Sequence, residues 1–238
     1  MASYLITGAS RDIGLAILQN LSSKPATEVS IIFAAARTQT TELMDIIAQS
    51  AGRVQLVPID IEDKACVLAA TATVEKALHS AGLDILINNA GVMNYTFNGI
   101  ETMDDLDSTF HTNVTSAHTV TSAFLPLLKK GTQKKVINIS TSLGSIAMAP
   151  RFANTPAPAY KVSKAALNMD FLSIAPGWVK TKLGGESADL TPEQSAHGVL
   201  DIILHATRVD NGKFFIVRVP GLENSEGLIQ YHGGETPW

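Results

Sequence analysis

The chain has 238 residues, of which 45% are hydrophobic and 17% charged, and its formal net charge is −4. That content supports a sizeable core and excludes a disordered polymer. The acidic balance, with no basic cluster larger than Lys129-Lys130 and Lys134-Lys135, argues against a nucleic-acid surface. The single cysteine, Cys66, excludes an intrachain disulfide and a cysteine-built zinc site. The six histidines show no ligand spacing, so no metal is expected. No run reaches 18 apolar residues, so no membrane span is indicated.

Short apolar runs at 3–7, 29–35, 53–58, 83–88, 135–140, 171–175 and 213–217 predict buried strands. Longer helix-like stretches lie between them, at about 12–22, 40–51, 62–81, 102–130, 158–170 and 191–206. Strand-helix alternation over most of the chain predicts a single doubly wound α/β domain covering 1–238, with about seven parallel strands and helices on both faces.

The first run, Ser3 to Thr7, follows a start without a basic segment, so it reads as a strand and not a signal peptide. A cytoplasmic protein is the expectation. Thr7-Gly8-Ala9-Ser10-Arg11-Asp12-Ile13-Gly14 then joins that strand to the first helix. Glycine there lets backbone approach a pyrophosphate, and the helix N-terminus offers N–H groups and a positive dipole end. A plain strand-helix turn is the competing reading. The second strand ends Ala34-Ala35-Ala36-Arg37, with no acid. Asp60 follows the third strand and reads either as a helix N-cap or as a ligand contact. Cys66 sits among helix formers and reads as a small buried hydrophobe. Asn88-Asn89-Ala90-Gly91 closes the fourth strand. Asn113 lies inside a helical stretch, where asparagine is unfavourable, which points to a polar role or a satisfied buried amide.

Ser140 ends the fifth strand, before a proline- and alanine-rich loop at 141–158. Tyr160 and Lys164 are spaced i, i+4, which puts both on one helical face. A free tyrosine has a pKa of about 10 and is a poor acid-base group at neutral pH, and a lysine cation one turn away favours the phenolate. Thr191-Pro192-Glu193 reads as an N-cap with proline at the first helical position.

The glycine turn, Asn88-Asn89-Ala90-Gly91, Asn113, Ser140 and Tyr160-x-x-x-Lys164, in that order, together resemble the short-chain dehydrogenase/reductase family over nearly the whole chain. Tyr160 to Asn168, the run Pro176-Gly177-Trp178-Val179-Lys180-Thr181 and the Pro237-Trp238 pair look like the C-factor-like carbonyl reductases and the fungal norsolorinic acid ketoreductases. The resemblance implies that Gly8, Ser10, Arg11, Ile13 and Gly14 hold cofactor phosphates. It places Asp60 and Ile61 at adenine, with Asn88, Ala90 and Gly91 on the adenosine ribose side. Pro176, Gly177, Val179 and Thr181 belong to the segment that holds the nicotinamide carboxamide. Ser140, Tyr160 and Lys164 match the catalytic triad, with Tyr160 as acid/base, and Asn113 matches the asparagine of the proton relay. Lys164 also binds the nicotinamide ribose.

These assignments make the chain an oxidoreductase moving a hydride between nicotinamide and a small carbonyl or alcohol substrate. Arg37 and Arg11, in place of an acid for the ribose 2′-OH, favour NADP(H), because guanidinium suits a 2′-phosphate. NAD(H) is the alternative. Two departures from the family pattern set a second hypothesis, a catalytically weak nucleotide-binding scaffold. Asp12 stands where the family has glycine, and Tyr160 to Pro176 is 16 positions, shorter than in relatives. The shortening is expected to end the catalytic helix by about residue 170, leave apolar surface on the 102–130 helix, and disturb a homo-oligomer interface.

Overall fold

The structure, a computed structural model, describes residues 1–168, 171–225 and 227–238. The chain forms two compact units, one of Met1–Ala90 and Ser116–Ile137, the other of Gly91–Thr115 and Asn138–Trp238. Seven strands form one Rossmann-like parallel sheet: β1 (Ala2–Thr7), β2 (Val29–Ala36), β3 (Val54–Pro58), β4 (Ile85–Asn88), β5 (Lys135–Ile139), β6 (Leu172–Ala175) and β7 (Phe214–Ile216). Their hydrogen-bonded order is β3-β2-β1-β4-β5-β6-β7. The order reverses direction at β1 and β4. In such sheets the crevice beyond the strands' carboxyl ends is where ligands bind.

The first unit holds α1 (Asp12–Ser23), α2 (Thr41–Gln49), α3 (Lys64–Leu78) and α5 (Ser116–Lys130). Strand β1 is buried along its whole length, as a strand covered on both faces must be. Leu5, Phe33, Val57, Val67, Val74, Leu86 and Phe124 share one core cluster. Asp84 is the polar anchor of this unit. Its Oδ2 accepts from the Ser3 N–H at 2.9 Å and the Ser3 hydroxyl at 3.2 Å. Its Oδ1 accepts from the N–H groups of Thr132 at 2.7 Å and Gln133 at 3.1 Å. One carboxylate thus fixes the start of β1 and the turn into β5.

The second unit holds α4 (Leu106–Phe110), α6 (Pro158–Asn168) and α7 (Pro192–His205), the last begun by a Thr191–Gln194 capping box with proline at its first position. The helical stretch expected at 102–130 is present with a later start and one irregularity. It starts at Leu106, and residues His111–Thr115 form a π turn. The cause is Asn113, whose side chain bonds the backbone of Val92 and so draws the helix out of its regular winding. Asp60 does not cap α3. Asp63 does, accepting from Ala65 and Cys66, while Asp60 accepts from the Glu62 N–H at 3.1 Å in a local turn. Cys66 is partly buried in α3, and its sulfur accepts from the Asp60 N–H at 3.1 Å.

Helix α6 is described to Asn168 and strand β6 is short, both as expected; the crossing at residues 169–170 lies outside the described residues. Phe171, just before β6, has φ 60. No helix among the described residues is long and apolar enough to cross a membrane.

Candidate functional site

The residues assigned to phosphate, adenine and the adenosine ribose lie at or after the carboxyl ends of strands, whereas Lys164, assigned to the nicotinamide ribose, is on α6. Gly8, Ser10, Arg11, Ile13 and Gly14 follow β1, Arg37 follows β2, Asp60 and Ile61 follow β3, and Ala90 and Gly91 follow Asn88 at the end of β4. The glycine turn is held rigidly. Gly8 has φ +68, and a side chain at Gly14 would meet the Gly8 carbonyl oxygen at 2.3 Å. Asn89 buttresses it: its Nδ2 donates to the carbonyls of Thr7 at 2.9 Å and Gly8 at 3.3 Å. The N–H groups of Asn89 and Ala90 both donate to Thr7 Oγ1, at 3.0 and 3.1 Å. Sequence reading quotes Asn89 only as part of its motif. Its work is long-range, 82 positions from Thr7, and only folding reveals it. Thr40, the N-cap of α2, holds the Ser10 carbonyl at 2.8 Å. Asn88 is buried and donates to Thr121 at 3.0 Å, a contact within the core layer.

Arg11, the N-cap of α1, makes no side-chain cap bond, and the first turn of a helix offers N–H groups to an anion. Asp12 stands there with φ 53, the left-handed region, and its carboxylate lies 3.4 Å from Arg11 Nε. Arg37 lies 3.8 Å from the Asp60 carboxylate. Both arginines assigned to a 2′-phosphate therefore already face a carboxylate. Exposed pairs of this kind contribute about 0–1 kcal/mol and exchange readily for a stronger anion.

In the second unit, Asn113, Ser140, Tyr160 and Lys164 are all buried. Asn113 Oδ1 accepts from the Val92 N–H at 2.9 Å, and Nδ2 donates to the Val92 carbonyl at 3.0 Å and to Ser163 Oγ at 2.9 Å. Ser163 passes the contact on to the Tyr160 carbonyl at 2.9 Å, so the π turn is tied to the start of α6. Ser163 is a member of this cluster that the sequence reading passes over. Both amide hydrogens of Asn113 are consumed, which leaves one Oδ1 lone pair and its backbone for any relay.

Lys164 Nζ donates to the Ile139 carbonyl at 2.7 Å and lies 5.8 Å from the Tyr160 ring centroid. Ser140 is anchored by its N–H on the Ile174 carbonyl at 2.7 Å, while its buried hydroxyl has no hydrogen-bond partner among the described residues. A side chain built at Gly91 would come within 3.1 Å of Asn113 Oδ1 and 3.5 Å of Lys164 Nζ, so glycine keeps that corner open.

The electrostatics differ from the simple expectation. Burial pushes the Tyr160 hydroxyl above its ordinary value, and nearby Tyr95 adds to the rise. Burial also lowers Lys164 from 10.5 to about 8, so the lysine's own charge is disfavoured. Among the protein's own groups, desolvation outweighs the lysine's pull on the tyrosine. Tyr95 stacks on Phe97 with centroids 5.4 Å apart, beside a cavity of about 340 Å3 that Asn94 and Asp105 also line.

Residues 176–181 follow β6. The Pro176 carbonyl accepts from Ser195 Oγ on α7 at 2.8 Å, and Gly177 has φ +90. Lys180 donates to the Leu190 carbonyl at 2.8 Å and the Leu190 N–H to the Trp178 carbonyl at 3.0 Å, closing 178–190 as a loop.

Residues 3–183 match the family model described as short chain dehydrogenase. The chain belongs to that family. Among curated relatives, a short-chain dehydrogenase/reductase, AacuF of Aspergillus aculeatus, is 39% identical over 178 residues, covering 71% of this chain and 65% of its own. The C-signal protein of Myxococcus xanthus is 35% identical over 173 residues, 66% of this chain and 93% of its own. Among solved structures, an NADPH-bound carbonyl reductase from chicken fatty liver superposes with a TM-score of 0.85 at 30% identity, covering 100% of this chain and 99% of that one. The carbonyl reductase Sniffer of D. melanogaster gives 0.84 at 29% identity over 100% of both chains.

Proposed function

We propose that this chain, read as one domain over 1–238, is an NADP(H)-dependent reductase of small carbonyl compounds. The observation that carries the reading is the buried cluster in which Tyr160 and Lys164 share one helical turn, Lys164 Nζ lies 5.8 Å from the tyrosine ring centroid, and Ser140 Oγ has no partner among the described residues. A nicotinamide dinucleotide fits the residues present: the α1 N-terminus and the tight Gly8–Gly14 contact suit a pyrophosphate, and the corner kept open by Gly91 suits a ribose. Gly8, Ser10, Arg11, Ile13 and Gly14 would hold the phosphates, and Pro176, Gly177, Val179 and Thr181 the carboxamide. The bound cofactor supplies the hydride.

The protein's own groups manage charge and proton. Ser140 donates to the substrate oxygen as negative charge develops on it. Tyr160 then delivers the proton, and its raised pKa keeps it protonated and ready at neutral pH. Lys164 provides positive charge beside the ring while protonated. Asn113 fixes the start of α6 through Ser163.

Three features support NADP(H) over NAD(H). Strand β2 ends without an acid, Arg37 follows it, and the chicken carbonyl reductase, 30% identical, carries NADPH. The competing reading, a weak nucleotide-binding scaffold, draws on the Asp12 carboxylate at the glycine turn. An assay of the purified protein with NADPH and NADH on a panel of ketones and aldehydes separates them. Carbonyl-dependent NADPH oxidation that Tyr160→Phe abolishes supports the enzyme. Nucleotide binding without turnover supports the scaffold.

A further inference from the structure

The segment 219–238 carries a buried tyrosine that the catalytic scheme does not use. Tyr231 is 1% exposed. Its hydroxyl donates to Asp189 Oδ2 at 2.5 Å and accepts the Trp178 N–H at 3.4 Å. Its ring lies against Gly177, where an added side chain would come within 2.7 Å of Tyr231 Cε1 and 2.5 Å of Leu190 Cδ1. Its backbone is fixed by the Val219 N–H at 3.0 Å. One phenol thus joins three stretches far apart in sequence. They are the Gly177-Trp178 backbone, the end of the 178–190 loop at Asp189, and the Val219 backbone.

We infer that Tyr231 and Asp189 form a latch that sets the backbone of residues 176–181, making Tyr231 a positioning residue for the nicotinamide side of the cofactor. The inference rests on the reading of 176–181 as a cofactor-holding segment. The geometry argues for more than packing. A ring alone would fill the space beside Gly177, but the hydroxyl is aimed at an exposed loop carboxylate and at the peptide N–H next to that glycine. With φ +90, Gly177 has a backbone freedom that other residues lack, and the latch removes it by holding the following residue. Asp189, the acceptor, sits at the far end of a loop that already closes on Trp178 and Lys180 through Leu190.

Trp178 is itself the reporter. The chain has two tryptophans, so Trp238→Phe leaves Trp178 as the only one. In that background, Tyr231→Phe keeps the ring and deletes the hydroxyl. The expected result is at least a twofold rise in acrylamide quenching of Trp178, about a tenfold rise in the KM for NADPH, and a kcat within threefold of the parent. Asp189→Ala should reproduce this, Asp189→Asn should stay near the parent because an amide oxygen still accepts the phenol, and the double variant should be no worse than either single one. Unchanged quenching and unchanged NADPH KM in Tyr231→Phe, even with a lower Tm, would reduce Tyr231 to a core ring and overturn the latch. A parent protein that binds neither NADPH nor NADH would overturn the cofactor reading instead. Quenching would then still decide whether the latch exists.

Discussion

Asp12 offers the sharpest test of how the glycine turn works. Its φ of 53 lies where glycine is favoured and where aspartate is one of the few other residues tolerated. Replacing it by glycine releases about 1–2 kcal/mol of backbone strain. Against that stand about 0.5–1 kcal/mol of extra unfolded-state freedom and about 0.3–1 kcal/mol of lost carboxylate–dipole attraction. The exposed pair with Arg11 adds about 0–1 kcal/mol to the loss. These terms nearly cancel, so Asp12→Gly should shift Tm by no more than a few degrees. Binding should change more. A carboxylate in the turn proposed to hold the phosphates repels them, and removing its charge should tighten Kd roughly tenfold, about 1.4 kcal/mol. Asp12→Asn tolerates the same backbone and removes only the charge, so it should gain the same affinity. Asp12→Ala keeps the strain and should lose stability. NADPH titrations with thermal melts on the three variants decide it. Equal NADPH affinity in Asp12→Asn and the parent would refute the electrostatic part, and an Asp12→Ala as stable as Asp12→Gly would refute the strain.

Arg37→Asp should reverse or erase an NADPH preference of at least tenfold over NADH, about 1.4 kcal/mol; equal Kd values for the two cofactors in the unmodified protein would contradict the assignment. Lys164 has a folded pKa of about 8, below its ordinary 10.5, so folding is penalised while it is charged in both states and stability rises from pH 8 upward. Tyr160 is shifted the other way, so above about pH 10 its buried hydroxyl costs stability. A melt series should therefore rise between pH 8 and 10 and fall beyond, and Lys164→Met should flatten the rise. In the same window kcat/KM for reduction should decline with an apparent pKa near 8, because Lys164 of the free enzyme loses its charge while Tyr160 stays protonated; a decline that begins only above pH 10 would assign it to Tyr160. Asp84→Ala should lower stability by about 3 kcal/mol in chemical denaturation, since it strands the N–H groups of Ser3, Thr132 and Gln133; a loss below about 1 kcal/mol would show that water replaces the carboxylate.

The strands, most helices and the order of the site residues were legible in the sequence, because they depend on local pattern. Apolar runs separated by helical stretches fix an alternating fold, and Tyr160 and Lys164 meet through helical spacing alone. Thr191-Pro192 announced its helix for the same reason, since a cap is local. What the sequence left undecided depends on partners far along the chain or on burial. Asn113 bends its helix into a π turn only because Val92 is there to bond, 21 positions away. Asp60 and Asp63 are equivalent as letters, and the start of α3 chose Asp63. Arg37 meets Asp60 because β2 and β3 end side by side. Asn89 and Tyr231 act on segments 82 and 53 positions away, with no local signal at either. The pKa directions of Tyr160 and Lys164 were set by the depth at which folding buries them, a quantity that spacing does not contain.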